Sequence, residues 1–597
     1  MASANRLYTS VPLPKIPRSY YDLSYNNLML ARIGQILPIQ CDEVVPGDVW
    51  KMGQGVVVRP FEGAVHNPVM HELNVHVASF FVPNRLLQGP QTEYDAQAGE
   101  QSFQDMITGG REGKLKIVPP SWSSSIWRGY KLDNSKPVPV PEPLLSDYLH
   151  IPRYFGQNGA SSFQPVLYPY RAYRFIYNTY FRDANLEDPI PVTFNSKTND
   201  LMKYDEILTC CYEKDYFTSA LPDTQRGPLP TIPFTGSAPV TGDFSAGYSF
   251  ISNLSGLGFS DNTRDPSISG TISVKNSGNG NPNLVYSNSV DGYLTGVRGN
   301  SASFKNVKGD GDPSSFSANF ENLPILTIPD LRNTIAVQHV LERSMLFGAR
   351  YNEYLLGQFG IAPRDETLQR PIFIGGHTSP IYFDEVVQTS SDVASTGIDS
   401  LGRQAGTFVA VGGDNTCNYT VREYGLIMTV MFIRPKNMYR GGMNRQWLKQ
   451  SRWDFMLPEF SHLSETAIYK GEVATYRPVG GSDTDPKPNN HGDFGVFGYQ
   501  GMYDWMRSKQ DRLVEDYTNI GDPELSGLLD RWTFARKFAN EPWLNSKFLH
   551  VNPDADYLNA PFTINTSKLP PFIVHIHNKI GAVRPLPADP TPGLNRI

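Results

Sequence analysis

A histidine pair near residue 70 is the first feature of the sequence that suggests chemistry. His71, Glu72 and His76 approach the H-E-x-x-H pattern, in which two histidines bind zinc and the glutamate acts as a base. The histidines are five residues apart rather than four. Residues 73–81 alternate between apolar and other side chains with a period of two, which predicts a strand with the two histidines on opposite faces. We interpret both as structural residues.

Two other patterns resemble incomplete metal sites. His575 and His577 fall on one face of a predicted strand, but the sequence supplies no third ligand at a recognisable spacing. Residues 310–321 resemble a calcium loop with a glutamate at the twelfth position. Ser315 stands where that loop needs glycine, and Pro313 stiffens its start. We predict an acidic surface turn there, and no metal site in the chain.

The sequence contains none of the common catalytic motifs. G-x-x-x-x-G-K-[ST], G-x-S-x-G and C-x-x-C are all absent. Acidic residues are numerous, but none has a recognisable acid–base setting. We therefore predict a protein that is not an enzyme, with no catalytic residues and no cofactor.

Cysteine usage and hydropathy indicate where the protein is made. Cys41, Cys210, Cys211 and Cys417 are too few for a disulfide framework in 597 residues, so we predict four reduced thiols and folding in a reducing cytoplasm. No apolar run approaches the 18 residues of a membrane span, and residues 1–6 lack the apolar core of a signal peptide. We expect no membrane insertion.

The overall composition favours strands joined by long loops. The chain has 51 Gly and 48 Pro, 12% aromatic residues and only 19% charged residues. Its net charge of −6 argues against a protein dedicated to nucleic-acid binding, because such domains are strongly basic.

Local patterns predict several elements. We expect strands at residues 35–41, 73–81, 425–433 and 572–577, and helices at residues 171–182 and 330–357. Residues 425–433 are apolar on both faces, which is typical of a central strand. The alternating prolines of residues 136–143 predict a polyproline II stretch.

Two regions stand apart from this pattern. Residues 1–26 form a basic arm with Arg6, Lys15 and Arg18 and no acidic residue before Asp22. It is either a frayed terminus or an arm that lies on a neighbour or on phosphates. Residues 228–323 form an insertion in which Gly, Ser and Asn are enriched but short β-like pieces recur, so that we expect surface hairpins rather than a flexible linker.

Twelve short strings, in this order along the chain, are similar to the major capsid proteins of the Microviridae, the small single-stranded-DNA phages, and in particular to the gokushovirus type. They are residues 45–48, 66–71, 80–85, 214–222, 348–353, 370–371, 375–376, 385–390, 423–425, 454–460, 497–500 and 584–587. Two segments, residues 136–143 and 480–492, match no feature of that pattern.

The resemblance implies an all-β fold: an eight-stranded antiparallel jelly roll of the viral capsid type over residues 27–597, with long inserted loops and a few helices. It also implies pentamers that form a 60-subunit T=1 icosahedral shell around a circular single-stranded DNA genome. The protein is then expected in the virion, assembled in the host cytoplasm together with other virion proteins.

The resemblance further implies roles for the two unusual regions. The insertion at residues 228–323 corresponds to a protrusion at the three-fold axes, which either contacts a host cell-surface receptor or is a solvated decoration. The inner face of the shell contacts DNA; our candidates are Arg6, Lys15 and Arg18, with Tyr8, Tyr20 and Tyr21 available for stacking. A small basic internal protein is expected to share in neutralising the genome.

Two other functions remain open from the residues alone. The insertion is compatible with a jelly-roll receptor-binding or lectin-like spike protein, which would form trimers without shells. The many aromatic and acidic residues are compatible with a β-sandwich carbohydrate hydrolase, which would lose turnover when one Asp or Glu is replaced.

Overall fold

The fold is described from a computed structural model of the chain. The structure describes residues 16–61, 65–88, 103, 106–107, 119–121, 130–133, 136–139, 144–151, 165–192, 205–228, 230, 240–241, 317–318, 328–387, 389, 404–412, 416–463, 465–475, 495–514, 527–538, 541–564, 566 and 569–588. The chain divides into two compact units. The main unit is Met1–Pro228 with His339–Ile597, and the small unit is Leu229–Gln338.

Most elements in the described part of the chain are strands. They are β1 (Ser19–Asp22), β2 (Tyr25–Ala31), β3 (Leu37–Val44), β4 (Val49–Pro60), β5 (Leu73–Pro83), β6 (Tyr130–Asp133), β7 (Lys136–Pro139), β8 (Val240–Thr241), β9 (Ser317–Ala318), β10 (Ile372–Val387), β11 (Gln404–Val411), β12 (Cys417–Thr420), β13 (Gly425–Pro435), β14 (Glu465–Tyr469), β15 (Val496–Gly501) and β16 (Phe572–Arg584).

Helices are fewer and mostly short in the same residues. The α-helices are α1 (Asn84–Gln88), α2 (Leu145–Tyr148), α3 (Tyr168–Ile176), α4 (Ile328–Phe347), α5 (Tyr351–Phe359), α6 (Lys470–Val473), α7 (Asp504–Arg507), α8 (Ser546–Leu549) and α9 (Asp556–Asn559). A π-helical turn, Tyr177–Phe181, continues α3. None of the described helices is both long enough and apolar enough to cross a membrane.

The main unit is built on one large curled antiparallel sheet. Its strand order is β1-β16-β4-β11-β10-β5-β13-β3, with β2 paired to β16 and β12 paired to β4. The curl lets one face of the sheet enclose an apolar core, in which the rings of Phe408, Phe562 and Phe572 lie 5.2–6.3 Å apart. The all-β, jelly-roll type of fold expected from the sequence is confirmed, with ten strands in this sheet among the described residues.

Strand β13 lies between β5 and β3, and this position explains its sequence. Ten of its eleven residues are buried, as the doubly apolar pattern predicted for a central strand. Thr429 interrupts the apolar run because its hydroxyl donates to Oε1 of Gln40 at 3.1 Å and bonds Ser79 at 2.9 Å. Gln54 donates to the same Gln40 oxygen at 2.8 Å, so a short polar ladder crosses the buried sheet.

The predicted strands are confirmed, with different ends. The strand predicted at residues 35–41 is β3, Leu37–Val44, and the one at 73–81 continues to Pro83. The one at 572–577 continues to Arg584 because alternate residues remain buried as far as Ala582. In this longer β16, one side pairs with β4 and the other side with β2 and then β1.

The single helix predicted at residues 330–357 is wrong, since α4 and α5 are separate. Gly348 between them has φ +100°, a left-handed conformation that ends a helix. The carboxylate of Glu353 then accepts a hydrogen bond from the backbone N–H of Arg350 at 3.0 Å and caps the start of α5. Helix α5 ends at Gly360, which is also left-handed.

Two further predictions need correction. The helix predicted at residues 171–182 starts earlier, at Tyr168, because Pro169 in the first turn needs no hydrogen bond, and it ends in the π-helical turn. The polyproline II prediction is wrong for residues 136–139, which form β7 and pair with β6. Residues 140–143, residues 480–492 and the β-like pieces of the insertion lie outside the described residues.

Candidate subunit-contact surfaces

The basic N-terminal candidates are described only in part. Arg6, Lys15 and Tyr8 lie outside the described residues, and Arg18 is exposed just before β1. Tyr20 is 67% exposed on β1, whereas Tyr21 donates its hydroxyl hydrogen to the carbonyl oxygen of Pro587 at 2.6 Å. Residues 19–22 and 25–26, which we expected within an arm, are therefore strand residues of the main sheet.

The histidines singled out from the sequence are not brought together. His71 precedes β5 and is buried, with its ring nitrogens 3.1 Å from Oγ1 of Thr533 and 2.8 Å from the carbonyl oxygen of Lys436. His575 and His577 share the exposed face of β16, as predicted. Among the described residues, no group of three or more His, Cys, Asp or Glu side chains is arranged to hold a metal ion.

A partly buried Cys–His–Glu cluster was missed by the sequence analysis. Nε2 of His550 bonds the carboxylate of Glu187 and lies 3.7 Å from Sγ of Cys211, while Nδ1 lies 3.1 Å from the carbonyl oxygen of Thr209. In a nucleophilic triad the thiol and the acid face opposite ring nitrogens. Here Sγ of Cys211 lies at similar distances from both ring nitrogens, 3.7 Å from Nε2 and 4.0 Å from Nδ1, so the arrangement is that of a Glu187–His550 ion pair beside a thiol.

Electrostatics in this cluster support that interpretation. Burial alone would lower the pKa of His550, but hydrogen bonds to Cys211 and Glu187 outweigh it and raise the pKa to about 10. Burial of Glu187 opposes its ionisation, yet the hydrogen bond from His550 holds the pKa of the carboxyl below its usual value. The pair is therefore ionised near neutral pH. All four cysteines are free thiols in the structure.

The end of α4 and the whole of α5 present an exposed apolar surface, which we call the helical surface. None of the residues of α5 is buried, although the helix is rich in apolar side chains. Phe347 packs against Gly357, and Gln358 donates to Ser344 at 3.4 Å, so the two helices form one face. The helical surface comprises Val340, Leu346, Phe347, Tyr351, Tyr354, Leu356, Phe359 and Ile361, which are 42–66% exposed.

A second exposed apolar surface follows β13, and we call it the aromatic surface. It comprises Trp447, Trp453, Phe455, Met456, Leu463 and Met506, which are 46–70% exposed. Cationic side chains lie over its rings: Arg452 is 4.1 Å from the Trp453 ring centre, and Lys449 is 4.1 Å from that of Phe455.

The backbone of the aromatic surface is held in place locally. The carboxylate of Asp454 accepts hydrogen bonds from the backbone N–H groups of Gln450 at 2.9 Å and Ser451 at 2.7 Å, and these bonds lower its pKa. The hydroxyl of Ser451 accepts from the N–H of Trp453 at 3.2 Å. Large apolar side chains on a backbone fixed in this way are typical of a preformed contact surface.

The sequence carried only a weak signal for these surfaces. The spacing in residues 330–357 indicated a helix but not which of its faces stays uncovered, because apolar and polar side chains are mixed around the helix. The density of Trp, Phe and Met in residues 447–463 was the one available clue, since these residue types are enriched at interfaces.

Comparisons with known proteins identify the family of the chain. Residues 9–106 and 143–594 match the family described as Capsid protein (F protein). The stretch without a match, residues 107–142, contains most of the proline-rich segment that fitted no feature of the expected pattern. The match runs through residues 480–492.

Three curated relatives match the chain over nearly the whole length of both proteins. The chain is 29% identical to Capsid protein VP1 of Chlamydia phage 1, over 99% of this chain and 98% of that protein. It is 28% identical to Capsid protein VP1 of Spiroplasma virus 4, over 98% and 96% of the two chains. It is 26% identical to Capsid protein VP1 of Bdellovibrio phage phiMH2K, over 91% and 90%.

These matches confirm the resemblance to Microviridae capsid proteins and decide between the functions left open by the residues. They favour a structural role over a spike protein or a carbohydrate hydrolase, since capsid proteins are structural and not catalytic. The chain belongs to the capsid protein (F protein) family and is a structural protein of a virion.

Proposed function

We propose that the chain assembles through pentamers into a 60-subunit T=1 icosahedral shell that encloses a circular single-stranded DNA genome. The observation that carries this proposal is the large apolar area left uncovered on the helical and aromatic surfaces of the main unit. Monomeric soluble proteins rarely expose contiguous apolar patches of this kind. Further copies of the same chain would cover them in a closed shell.

The free energy of association depends on the apolar area that the subunits bury. Each 100 Å² of apolar surface removed from water contributes about 2.5 kcal/mol before the costs of association. A stable interface buries about 1,600 Å² in total, and a subunit in a shell makes several such contacts. Tyr351, Phe359 and Trp447, each at least 65% exposed, are suited to the centre of such contacts because aromatic anchors dominate binding energy.

A pair of substitutions at one exposed position tests the proposal. Leu356→Glu places a charge on the helical surface, where the side chain is 51% exposed, so the fold is expected to change in stability by less than about 0.5 kcal/mol. Sedimentation and negative-stain microscopy of the full-length chain should show shells for the wild type and for Leu356→Met, which keeps the apolar area, but not for Leu356→Glu. A wild-type chain that stays monomeric at every salt concentration contradicts the proposal.

Genome contact is the second part of the proposed function. Arg6, Lys15 and Arg18 are proposed to lie on phosphates at the inner face of the shell, where a small basic internal protein shares the neutralisation. Support comes from the absence of any acidic residue before Asp22 and from the exposed Arg18 and Tyr20. Replacing the three basic residues by Gln should lower the DNA content of purified shells. Unchanged DNA content would rule out this role. The control is Lys547→Gln, which replaces an exposed lysine outside this segment and should leave the DNA content unchanged.

Host attachment is proposed for the insertion at residues 228–323, as a protrusion at the three-fold axes. Strands β8 and β9 pair, with Val240 opposite Ala318, so the two ends of the intervening segment lie side by side. Residues 242–316 can therefore be replaced by a short Gly-containing turn. The shortened chain should still form shells, while particles lose adsorption to host cells. Retained adsorption would leave the insertion as a decoration without receptor function.

The remaining parts of the proposal concern place and partners. The shells are proposed to assemble in the host cytoplasm, together with other virion proteins. The four free thiols are consistent with folding in a reducing compartment. Electron microscopy of sections through infected cells would show shells in the cytoplasm, and shells seen only outside the cells would contradict this.

A further inference from the structure

The main unit contains a cleft that neither shell formation nor the buried sheet explains. Its volume is about 590 Å³, within the range of ligand pockets and far larger than an isolated ion needs. Its walls come from three parts of the chain: the end of the π-helical turn, residues 210–221, and the turn between α4 and α5. The end of β13 supplies the floor. The lining includes aromatic rings, among them Phe181 and Phe432.

Cationic side chains from all of these parts converge on the cleft. Its charged lining consists of four cations and three acids: Arg182, Lys214, Arg350 and Arg434 against Asp183, Glu213 and Glu353. Lys214 is paired directly with Asp183. Arg350 donates to the carbonyl oxygen of Arg182 at 2.5 Å and lies 3.6 Å from Glu353. The lining therefore keeps a net positive charge.

Arg434 is a lining cation with weak polar partners, and its guanidinium group lies 5.6 Å from the centre of the Phe432 ring. Its side chain is 18% exposed, and it makes one long hydrogen bond, of 3.4 Å, to the carbonyl oxygen of Cys211. Among the residues that the structure describes, its one acidic neighbour within ion-pair distance is Glu213, which is 3.9 Å away and 60% exposed. A guanidinium group has five N–H donors, so Arg434 has donors for a ligand in the cleft beyond those that face Cys211 and Glu213.

Two further features favour an anion at this place. Arg350 stands at the N-terminus of α5, where the helix dipole adds partial positive charge next to the cleft. Burial lowers the pKa of Arg350; the charges of Glu353 and Asp183 oppose this shift, and those of Arg182 and Arg370 add to it. Like charges held together in a partly buried cleft are stabilised by a bound anion.

We propose that this cleft binds a phosphate group carried by a nucleotide, either free or as part of single-stranded DNA. Guanidinium groups match phosphate oxygens in geometry, and the aromatic lining suits the apolar remainder of a nucleotide. The site is complete within one chain, because every lining residue belongs to the main unit, and it shares Leu346 and Phe347 with the helical surface. Binding can be measured whether or not the chain assembles, so failure of one proposal is distinguishable from failure of the other.

The test is calorimetric titration of the full-length chain with three ligands: inorganic phosphate, deoxyadenosine monophosphate and an oligothymidine of twelve nucleotides. Tighter binding of the monophosphate than of phosphate indicates a free nucleotide, and still tighter binding of the oligonucleotide indicates DNA. Arg434→Gln should weaken binding of the best ligand about tenfold or more, because a hydrogen bond to a charged group is lost. Glu213→Gln should strengthen it, since a competing carboxylate is removed.

The control is Lys436→Gln, which removes a half-exposed cation two residues from Arg434 that does not line the cleft. It should leave affinity unchanged. Tighter binding by Glu213→Gln cannot arise from partial unfolding. It therefore tests the site even if Arg434→Gln fails to fold. The proposal is overturned if none of the three ligands binds at millimolar concentration, if Arg434→Gln and Lys436→Gln weaken binding equally, or if polyglutamate displaces the nucleotide more effectively than phosphate does.

Discussion

The carboxylate of Glu187 and the imidazolium of His550 form a buried ion pair between residues 363 positions apart in the chain. Their side chains are 12% and 14% exposed, and the pair joins the loop after the π-helical turn to the residue that follows α8. Removing one partner of a buried pair is expected to destabilise a protein by about 3–5 kcal/mol. This contact is therefore one of the stronger links within the main unit.

The His550–Glu187 pair gives the stability of the chain a defined pH dependence. The pKa of His550 rises from 6.5 to about 10 on folding, so its contribution is complete below pH 6.5 and is lost as the pH rises towards 10. The loss of unfolding free energy in His550→Gln should be largest near pH 6 and shrink towards pH 10. Urea unfolding at several pH values measures it, and a difference independent of pH would contradict the assignment.

Gly348 should tolerate a side chain less well than Gly360, although both have left-handed backbones. A Cβ at Gly348 would clash with Oε2 of Glu353, whereas Gly360 has open space around it. We expect Gly360→Ala to lower the free energy of unfolding by about 1–2 kcal/mol from backbone strain alone. Gly348→Ala should lower it further, as measured by urea unfolding. Equal losses would mean that Glu353 moves away freely.

The polar ladder through the buried sheet should show coupling between Ser79 and Thr429. Thr429→Val leaves the hydroxyl of Ser79 without its partner at 2.9 Å, which should lower the free energy of unfolding by about 1–3 kcal/mol. Ser79→Ala combined with Thr429→Val removes both groups, and its loss should be smaller than the sum of the two single losses. Additive losses in the double-mutant cycle would show that the hydroxyls act independently.

Cys210 and Cys211 are adjacent but should differ in reactivity. Cys210 is 1% exposed, and burial raises its pKa to about 12, so it is protonated near neutral pH. Cys211 is half-buried and lines the cleft. Alkylation of the native chain at pH 8, followed by peptide mass spectrometry, should find Cys211 modified and Cys210 intact. Modification of both at the same rate would indicate that this region opens.

The elements that the sequence predicted well are those whose pattern is set by local burial. Strands β5 and β13 alternate or stay apolar according to their position in the sheet, and both were located within a few residues. The break at Gly348 was missed because the apolar spacing continues from α4 into α5, and only the glycine marked it.

The candidate surfaces and the cleft depend on distant parts of the chain. No local pattern places His550 against Glu187, or Arg434 near Arg350, because these contacts form only when the sheet curls. The exposure of α5 could not be predicted from the sequence either. An apolar helix that is buried inside one chain has the same sequence pattern as one that is covered by another copy. The proline-rich β7 was missed because pairing with β6 overrides the preference of its prolines.

Strand β16 makes translation and folding interdependent. It is the shared neighbour of β1, β2 and β4, strands that leave the ribosome more than 500 residues earlier. Until Phe572–Arg584 has been synthesised, the edge of β4 that faces it stays unpaired and available to other polypeptides. A ribosome that stops before this point releases a chain in which β1 and β2 lack the strand with which they pair in the main sheet.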